Sequence, residues 1–522
     1  VVIVQDGRVG SNAGAAQVFY RNGGVWQRIA TLTGPGESSA FGAAVAISAD
    51  ATTIAIGAPF DGSNNTGGVW VFTRLGSGLS ATWPLEQIIR ASDAQANDHF
   101  GASVSLRSST ILIGAPEDDN AEGTDAGAAY IFTRSGGVWG DQRKLAPAAL
   151  EAGDKFGVSV AIMSSSRVVV GAFGDNTGAL TNSGAAYLFD FQGTFGNAFW
   201  NVTQVFIPAD VGAGDNFGYS LAVAGVNTVV VGSPLDDNTS GADAGAVYVF
   251  KASGIGASPS GWSQQTKLTR VGQNDDDRFG SAVAMSGSVL LVGAPFSDEE
   301  FNGFTDDGSV WLYLQVNNVW TLQYGFGLSD KRSGDRWGTS LAISSDAMLV
   351  GSPVRDTEAG VDAGRAVAYQ YSVNPPPITS EPQPVVACRS TSSVSFTVGS
   401  AFPTFYTHRW YRNNMLVSDV PGHISGATTQ TITIANPAAA DAGTYVAEVS
   451  NPCGTSTSAG ALLTICPADY NCSGAVTVQD IFDFLAGYFN GDAAADFNGS
   501  GVPVTVQDIF DFLAAYFAGC GG

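Results

Sequence analysis

Residues Phe100 to Pro116 read FGASVSLRSSTILIGAP. The stretch opens on Phe-Gly, carries two apolar runs, and fourteen residues on reaches Gly-Ala-Pro. The same phrase recurs along the chain. Phe-Gly or Trp-Gly stands at Phe41, Phe100, Phe156, Phe217, Phe279 and Trp337, 56 to 62 residues apart. Each is followed 14 to 16 residues later by Gly-Ala-Pro, Gly-Ala-Phe or Gly-Ser-Pro, at Gly57, Gly114, Gly171, Gly232, Gly293 and Gly351. A third signature closes each unit: GGVWVF at 67–72, DAGAAYIF at 125–132, NSGAAYLF at 182–189, DAGAVYVF at 243–250, DDGSVWLY at 306–313 and DAGRAVAY at 362–369. SNAGAAQVF at 11–19 is a partial seventh copy.

Each unit reads as four short strands, in the quoted unit ASVSL, TILIGA, AAYIFTR and VWGDQRKL, with turn residues between them. The second strands are nearly continuous apolar runs (TILIG, RVVVG, TVVVG, VLLVG), the pattern of strands covered on both faces. Four strands per unit at this period predict radially stacked sheets that protect one another's edges, a β-propeller. In that arrangement Phe wedges between neighbouring sheets, Gly permits close backbone approach, and Pro ends the second strand because it cannot donate to the ladder.

Composition agrees. Sixty-six glycines, 11% aromatic and 13% charged residues describe a turn-rich, mainly β chain, and 522 residues suffice for several domains with cores of their own. The net charge of −24 disfavours nucleic acid and anionic membrane surfaces, and favours cations and cationic partners. No apolar run approaches the ~18 residues a spanning helix needs, so no membrane insertion is expected. VVIVQDGRVG starts inside a strand, without Met or a signal-peptide pattern; the chain reads as a processed or truncated piece of a longer, secreted or cell-surface product. All five cysteines follow residue 387, as in secreted chains whose small C-terminal modules carry disulfides.

The six units resemble FG-GAP repeats, the blades of the integrin α-subunit propeller, over residues 1–374. The resemblance implies seven blades, the first incomplete. The first unit has VVIV, AAQVF and WQRIATL but no innermost strand, and the last ends after AVAYQY without an outermost one. Both missing strands are expected upstream of Val1. Integrin blades often carry a calcium hairpin of the form D-x-D-x-D-G; the corresponding turns here (SADATT, RSST, MSSSR, AGVNT, SGS, SSDA) lack it, so those calcium sites are not carried over. Aspartates recur elsewhere, at Asp98, Asp154, Asp215, Asp277 and Asp335, two positions before Phe100, Phe156, Phe217, Phe279 and Trp337. Two readings stay open for them: turn caps that accept from backbone amides, or weak cation binding.

A Pro-rich linker, residues 375–384, separates the repeats from a second pattern over 385–465. Trp410 in HRWYRNN and Tyr445 in DAGTYVAEV resemble an immunoglobulin-like sandwich, with Tyr445 as corner tyrosine. The family's inter-sheet cysteine falls on Ala447, and Cys388 and Cys453 are expected to pair with each other instead.

Residues 466–522 carry a duplication, VTVQDIFDFLAGYF followed by VTVQDIFDFLAAYF. Leading into the first copy, Asp469, Asn471, Ser473, the Ala475 carbonyl and, within the copy itself, Asp480 fall at positions 1, 3, 5, 7 and 12 around the bend at Gly474. This is the ligand spacing of an EF-hand calcium loop, in which alternate oxygens converge on a hard cation. The second copy offers Asp496, Asn498, Ser500, the Val502 carbonyl and Asp508, with an extra residue near Pro503 that moves Asp508 to position 13. The helix after the first loop is expected to bury Ile481, Leu485 and Tyr488. The pair resembles a type I dockerin. That resemblance implies calcium as cofactor, a cohesin-like or other surface protein as partner, and partner contacts from the helix starts at Val478, Gln479, Val506 and Gln507. Cys466 and Cys520 bracket the module and can clasp its ends, which leaves Cys472 unpaired.

Little in the sequence speaks for catalysis. His99, His408 and His423 sit in unrelated contexts, and no nucleophile, zinc or phosphate-loop pattern occurs. The expectation is a non-catalytic binding or adhesion protein, its propeller loops meeting a protein or polysaccharide ligand and its tail attaching through calcium. The alternatives are an extracellular hydrolase or lyase with a propeller active site, and a structural surface-coat component.

Overall fold

The structure, a computed structural model, describes residues 2–6, 14–34, 36, 39–193, 199–254, 261–270, 272, 274–298, 305–328, 330, 332–355, 364–370, 376–400, 406–451, 454–501 and 503–520. Cys453, Val502 and Pro375 lie outside them. The chain is mainly β and divides into two compact units, Val1–Tyr371 and Ser372–Gly522.

The first unit contains seven antiparallel meanders, each with its strands in chain order. The third sheet is typical: Ser103–Arg107, Thr110–Ala115, Ala128–Ser135 and Val138–Leu145. The second to sixth sheets have four strands; the first and seventh have three among the described residues. All six residues of Thr53–Ala58, Thr110–Ala115, Arg167–Ala172, Thr228–Ser233 and Val289–Ala294 are buried, as their apolar runs demand.

The Phe-Gly phrase is explained by what lies between sheets. Phe41, Phe100, Phe156, Phe217, Phe279 and Trp337 are all fully buried. Phe100 sits edge-on to Tyr130 and Phe132 of its own sheet, with centroids 5.4 and 6.2 Å away, in a cluster that includes Val69 and Val71 of the preceding sheet. Its glycine neighbour matters as much. A Cβ on Gly114 would stand 1.9 Å from the carbonyl oxygen of Gly157, the glycine of the next Phe-Gly. The same clash, 2.0 to 2.1 Å, awaits Cβ atoms at Gly57, Gly171, Gly232 and Gly293. Each Gly-Ala-Pro glycine is therefore the bed for the next Phe-Gly carbonyl. Ser103, Ser159 and Ser220 donate to the same carbonyls from the preceding sheet, each at 2.7 Å. The second strands end at the residue before Pro59, Pro116, Pro234, Pro295 and Pro353.

In the second unit a sheet of Val385–Cys388, Ala461–Cys466, Gly443–Asn451, Thr407–Arg412 and Met415–Leu416, with Gly454–Thr457 at its side, faces a sheet of Ser393–Thr397, Thr431–Ala435 and Ile424–Ser425. Their shared core holds Trp410, Tyr445, Ala447 and Phe396. Tyr445 stacks on Phe396 at 4.7 Å and donates its hydroxyl to the Asp441 carbonyl at 2.9 Å. Ala447 is opposite Trp410 in the ladder and fully buried.

Two helices follow, α1 (Val478–Asn490) and α2 (Val506–Ala518). Phe484 and Phe512 are their central core residues, fully buried and stacked at 4.1 Å, with Ile481, Leu485 and Tyr488 packed around them only partly buried. Cys466 bonds to Cys520.

The expected Cys388–Cys453 pair is not formed, and Cys472 is not left over: Cys388 bonds to Cys472. The reason is the ladder. Val385–Cys388 runs parallel to Ala461–Cys466 with Cys388 beside Cys466, so Cys388 emerges where the first loop begins, its Cα 5.4 Å from that of Cys472. The next residue, Arg389, donates to the carbonyls of Phe497 (2.8 Å) and Asp496 and lies over the Phe497 ring. The sandwich and the helical pair are thus joined at two points within one compact unit.

Candidate functional site

Both loops ahead of the helices fold around carboxylates. Asp469, 2% exposed, accepts from the amides of Ser473 (2.9 Å) and Gly474 (2.8 Å); the Asn471 side-chain oxygen accepts from Ser473 at 3.0 Å. The Ser473 hydroxyl lies 3.4 Å from Asp469 Oδ1 and donates to the Ala475 carbonyl at 3.1 Å. Asp480, fully buried, accepts from the amides of Asn471 (3.2 Å) and Thr477 (2.8 Å). Burial pushes the Asp480 carboxyl up, but those amides and the Thr477 hydroxyl outweigh it and hold it below the usual range.

The second loop repeats the amide contacts to within about 0.1 Å in spite of its extra residue. Asp496 accepts from Ser500 (2.9 Å) and Gly501 (2.8 Å), and Asp508 from Asn498 (3.1 Å) and Thr505 (2.8 Å). The extra residue falls between Gly501 and Thr505 in the sequence, and Asp508 takes the place of Asp480. Each helix starts on a Thr capping box closed by that aspartate, Thr477 with Asp480 and Thr505 with Asp508.

The donor set fits a hard cation. Each loop brings two carboxylates, an amide oxygen and a hydroxyl to one turn, all of them oxygens, with no basic side chain paired to them among the described residues. In the first loop Asp469, Asn471, Ser473, the Ala475 carbonyl and Asp480 would hold calcium; in the second, Asp496, Asn498, Ser500 and Asp508. Among the described residues no three His, Cys, Asp or Glu side chains form a metal cluster, so amide, hydroxyl and carbonyl oxygens have to complete each site.

Of the expected partner contacts, Val478 and Val506 are each 60% exposed. Gln479 and Gln507 instead donate to Asp483 (2.8 Å) and Asp511 (2.9 Å), which in turn accept from Asn471 and Asn498. One turn along from the valines, Phe482 and Phe510 are 61% and 62% exposed, and Phe489 and Phe517 are still more so. These four aromatics were missed in the sequence because apolar residues at helical spacing read as core.

Elsewhere, Asp98, Asp154, Asp215, Asp277 and Asp335 are all buried and accept from the amide three residues upstream, at 2.6 to 2.9 Å. The three histidines are dispersed. His99 meets Glu117 at 2.8 Å, His423 meets Asp441 at 3.0 Å, and His408 is buried. Among the described residues no helix is long and apolar enough to cross a membrane.

The sequence model of the FG-GAP repeat family matches residues 83–132, 139–189, 200–250, 262–313 and 320–369. Each match begins in or just before the fourth strand of one sheet and ends in the third strand of the next. Integrin alpha-PS5 of Drosophila melanogaster is 28% identical over 148 residues; the match covers 26% of this chain and 13% of that protein. Among solved structures, titin domain M4 is 20% identical over 18% of this chain and 96% of its own, with a TM-score of 0.16. Tandem immunoglobulin repeats of Dlar are 16% identical over 35% and 91%, with a TM-score of 0.17. Five FG-GAP repeats accordingly lie within residues 83–369, and a part of the chain is similar to an integrin α subunit.

Proposed function

We propose that this chain is a secreted or cell-surface binding protein without catalytic activity. Its seven sheets form a seven-bladed propeller that offers a loop face to a protein or polysaccharide ligand. Its second unit is an immunoglobulin-like sandwich fused to a dockerin-like pair that attaches to a cohesin-like partner in the presence of calcium. Bound calcium supplies positive charge that draws the loop oxygens together and sets the directions of α1 and α2. The side chains of Val478 and Phe482, and of Val506 and Phe510, then form the apolar contact with the partner. The observation that carries this reading is the matched exposure of those two pairs above loops with one hydrogen-bond pattern.

The test is capture of the full chain on an immobilised type I cohesin, with calcium and with a chelator. Binding with calcium that is lost on chelation, and lost in a Phe482→Asp, Phe510→Asp double variant that stays folded, is the expected result. Failure of the calcium-loaded wild type to bind, or undiminished binding by the double variant, overturns the cohesin assignment.

A further inference from the structure

A buried charge cluster recurs beside the sheets of the first unit, and one copy differs. In the third sheet Asp118 accepts from the Tyr130 hydroxyl at 2.6 Å and meets Lys144 Nζ at 2.9 Å; Lys144 also reaches Asp93 at 2.8 Å and lies over the Tyr130 ring. The fifth sheet repeats this with Asp236, Tyr248 (2.6 Å), Lys267 (2.9 Å) and Asp210 (2.9 Å). In the second sheet Arg90 pairs with Asp61, in the sixth Arg270 with Asp277, and in the seventh Arg355 with Asp335.

The fourth sheet keeps the acids and loses the base. Asp175 accepts from the Tyr187 hydroxyl, and Asp154 is 1% exposed with an Oδ1 that, like that of Asp98 in the third sheet, has no hydrogen-bond partner among the described residues; in the third sheet Lys144 stands by to balance the charge, and here no lysine does. The residue opposite Tyr187 in the ladder is Val205, where Tyr130 faces Lys144 and Tyr248 faces Lys267. Ala149 stands seven residues before Phe156, where Asp93 and Asp210 stand relative to their own Phe-Gly. Glu151, whose amide donates to Asp154 at 2.7 Å, adds a third carboxylate on the same turn. The nearby basic side chains are engaged elsewhere: Lys155 with Asp125 and Glu117, and Arg167 with Asp190 at the opposite end of its strand.

Buried carboxylates without a counter-charge are costly, and the neighbouring sheets answer that cost with an internal cation. We propose that the fourth sheet binds a hard divalent cation in the place where the third and fifth sheets hold a lysine ammonium. Asp154 and Asp175 are its anionic ligands, with carbonyl oxygens and water completing the shell. The all-oxygen donors suit calcium, and two carboxylates set a weak affinity, on the order of 10⁻⁴ to 10⁻³ M. The site is separate from the two C-terminal loops and stands or falls without them.

Hydrogen exchange read by mass spectrometry on the metal-free full chain, with calcium then added, tests the proposal. At calcium about tenfold above the dissociation constant, exchange in peptides spanning 148–184 should slow about tenfold. Peptides spanning 92–127 and 209–245, which carry the lysine-bearing clusters, should not respond. Val205→Lys should protect 148–184 without calcium and abolish the response, and Asp175→Asn should abolish the response alone. No calcium effect in 148–184 overturns the proposal, as does an equal effect in the lysine-bearing sheets. Protection that follows pH and ignores calcium also overturns it, because a shared proton then replaces the cation. The C-terminal peptides report calcium binding by the loops independently.

Discussion

Arg21 Nη1 donates to Asp346 Oδ2 at 2.8 Å across 325 residues of sequence. Arg21 belongs to the first sheet and Asp346 to the turn before the second strand of the seventh, so the two ends of the repeat series touch. With side chains 29% and 63% exposed the pair adds little stability, at most about 1 kcal/mol, but it reports position. In an Arg21→Lys variant a zero-length carbodiimide should link Lys at 21 to Asp346. Absence of that crosslinked peptide from the digest would mean that the series is open.

Close backbone approach makes a second prediction. Gly114→Ala forces a methyl to within 1.9 Å of the Gly157 carbonyl and should destabilise the repeat unit by about 3 kcal/mol. Gly140→Ala, in a strand with nothing within 4 Å of the new methyl, should be neutral or slightly stabilising. Denaturant midpoints of the two variants separate these outcomes; equal midpoints would refute the packing account.

Burial, reinforced by the nearby Asp236 charge, pushes the Asp215 carboxyl up to about 6. A raised folded-state value means that the native state holds the proton more tightly than the unfolded chain. The associated stability is fully present below about pH 4 and is lost as pH rises through about 6. Asp215→Asn should remove that slope. If the difference in unfolding free energy between wild type and variant is flat between pH 4 and 7, the carboxyl is not perturbed.

Non-reducing peptide mapping should recover Cys388 with Cys472 and Cys466 with Cys520. A Cys388→Ser, Cys472→Ser chain loses a crosslink that closes an 84-residue separation, and its second unit should be less stable by about 4 kcal/mol. Recovery of a Cys388–Cys453 peptide would contradict the fold of this unit.

Removal of calcium should loosen residues 466–522 and, beyond the local effect expected at 148–184, leave the repeat sheets folded, because the loop carboxylates then face one another without a counter-charge. Limited proteolysis with and without a chelator reads this directly; a cleavage pattern in the tail that ignores the chelator counts against cation binding there.

The sheets were legible because their determinants repeat: a buried Phe, a glycine under a carbonyl and an apolar second strand recur at a fixed period. The loop residues were legible because EF-hand spacing is local. Long-range placement was not. Cys388 met Cys472 through a parallel strand pairing that cysteine spacing does not encode. The exposure of Phe482 and Phe510 depends on which residues the stack of Phe484 on Phe512 leaves outside. The missing base beside Asp175 became visible only when strand register set Val205 in the row of Lys144 and Lys267.

The offset between family repeat and sheet also bears on how such a chain can change its length. Since each matched repeat finishes one meander and starts the next, excising a whole copy from the gene splices the third strand of one sheet to a fourth strand drawn from a later copy. Every remaining interior sheet keeps its four strands, and only the number of sheets falls. Growth and loss by unequal recombination thus leave no frayed edge inside the array, and the burden of each such event falls on the contact between Arg21 and Asp346.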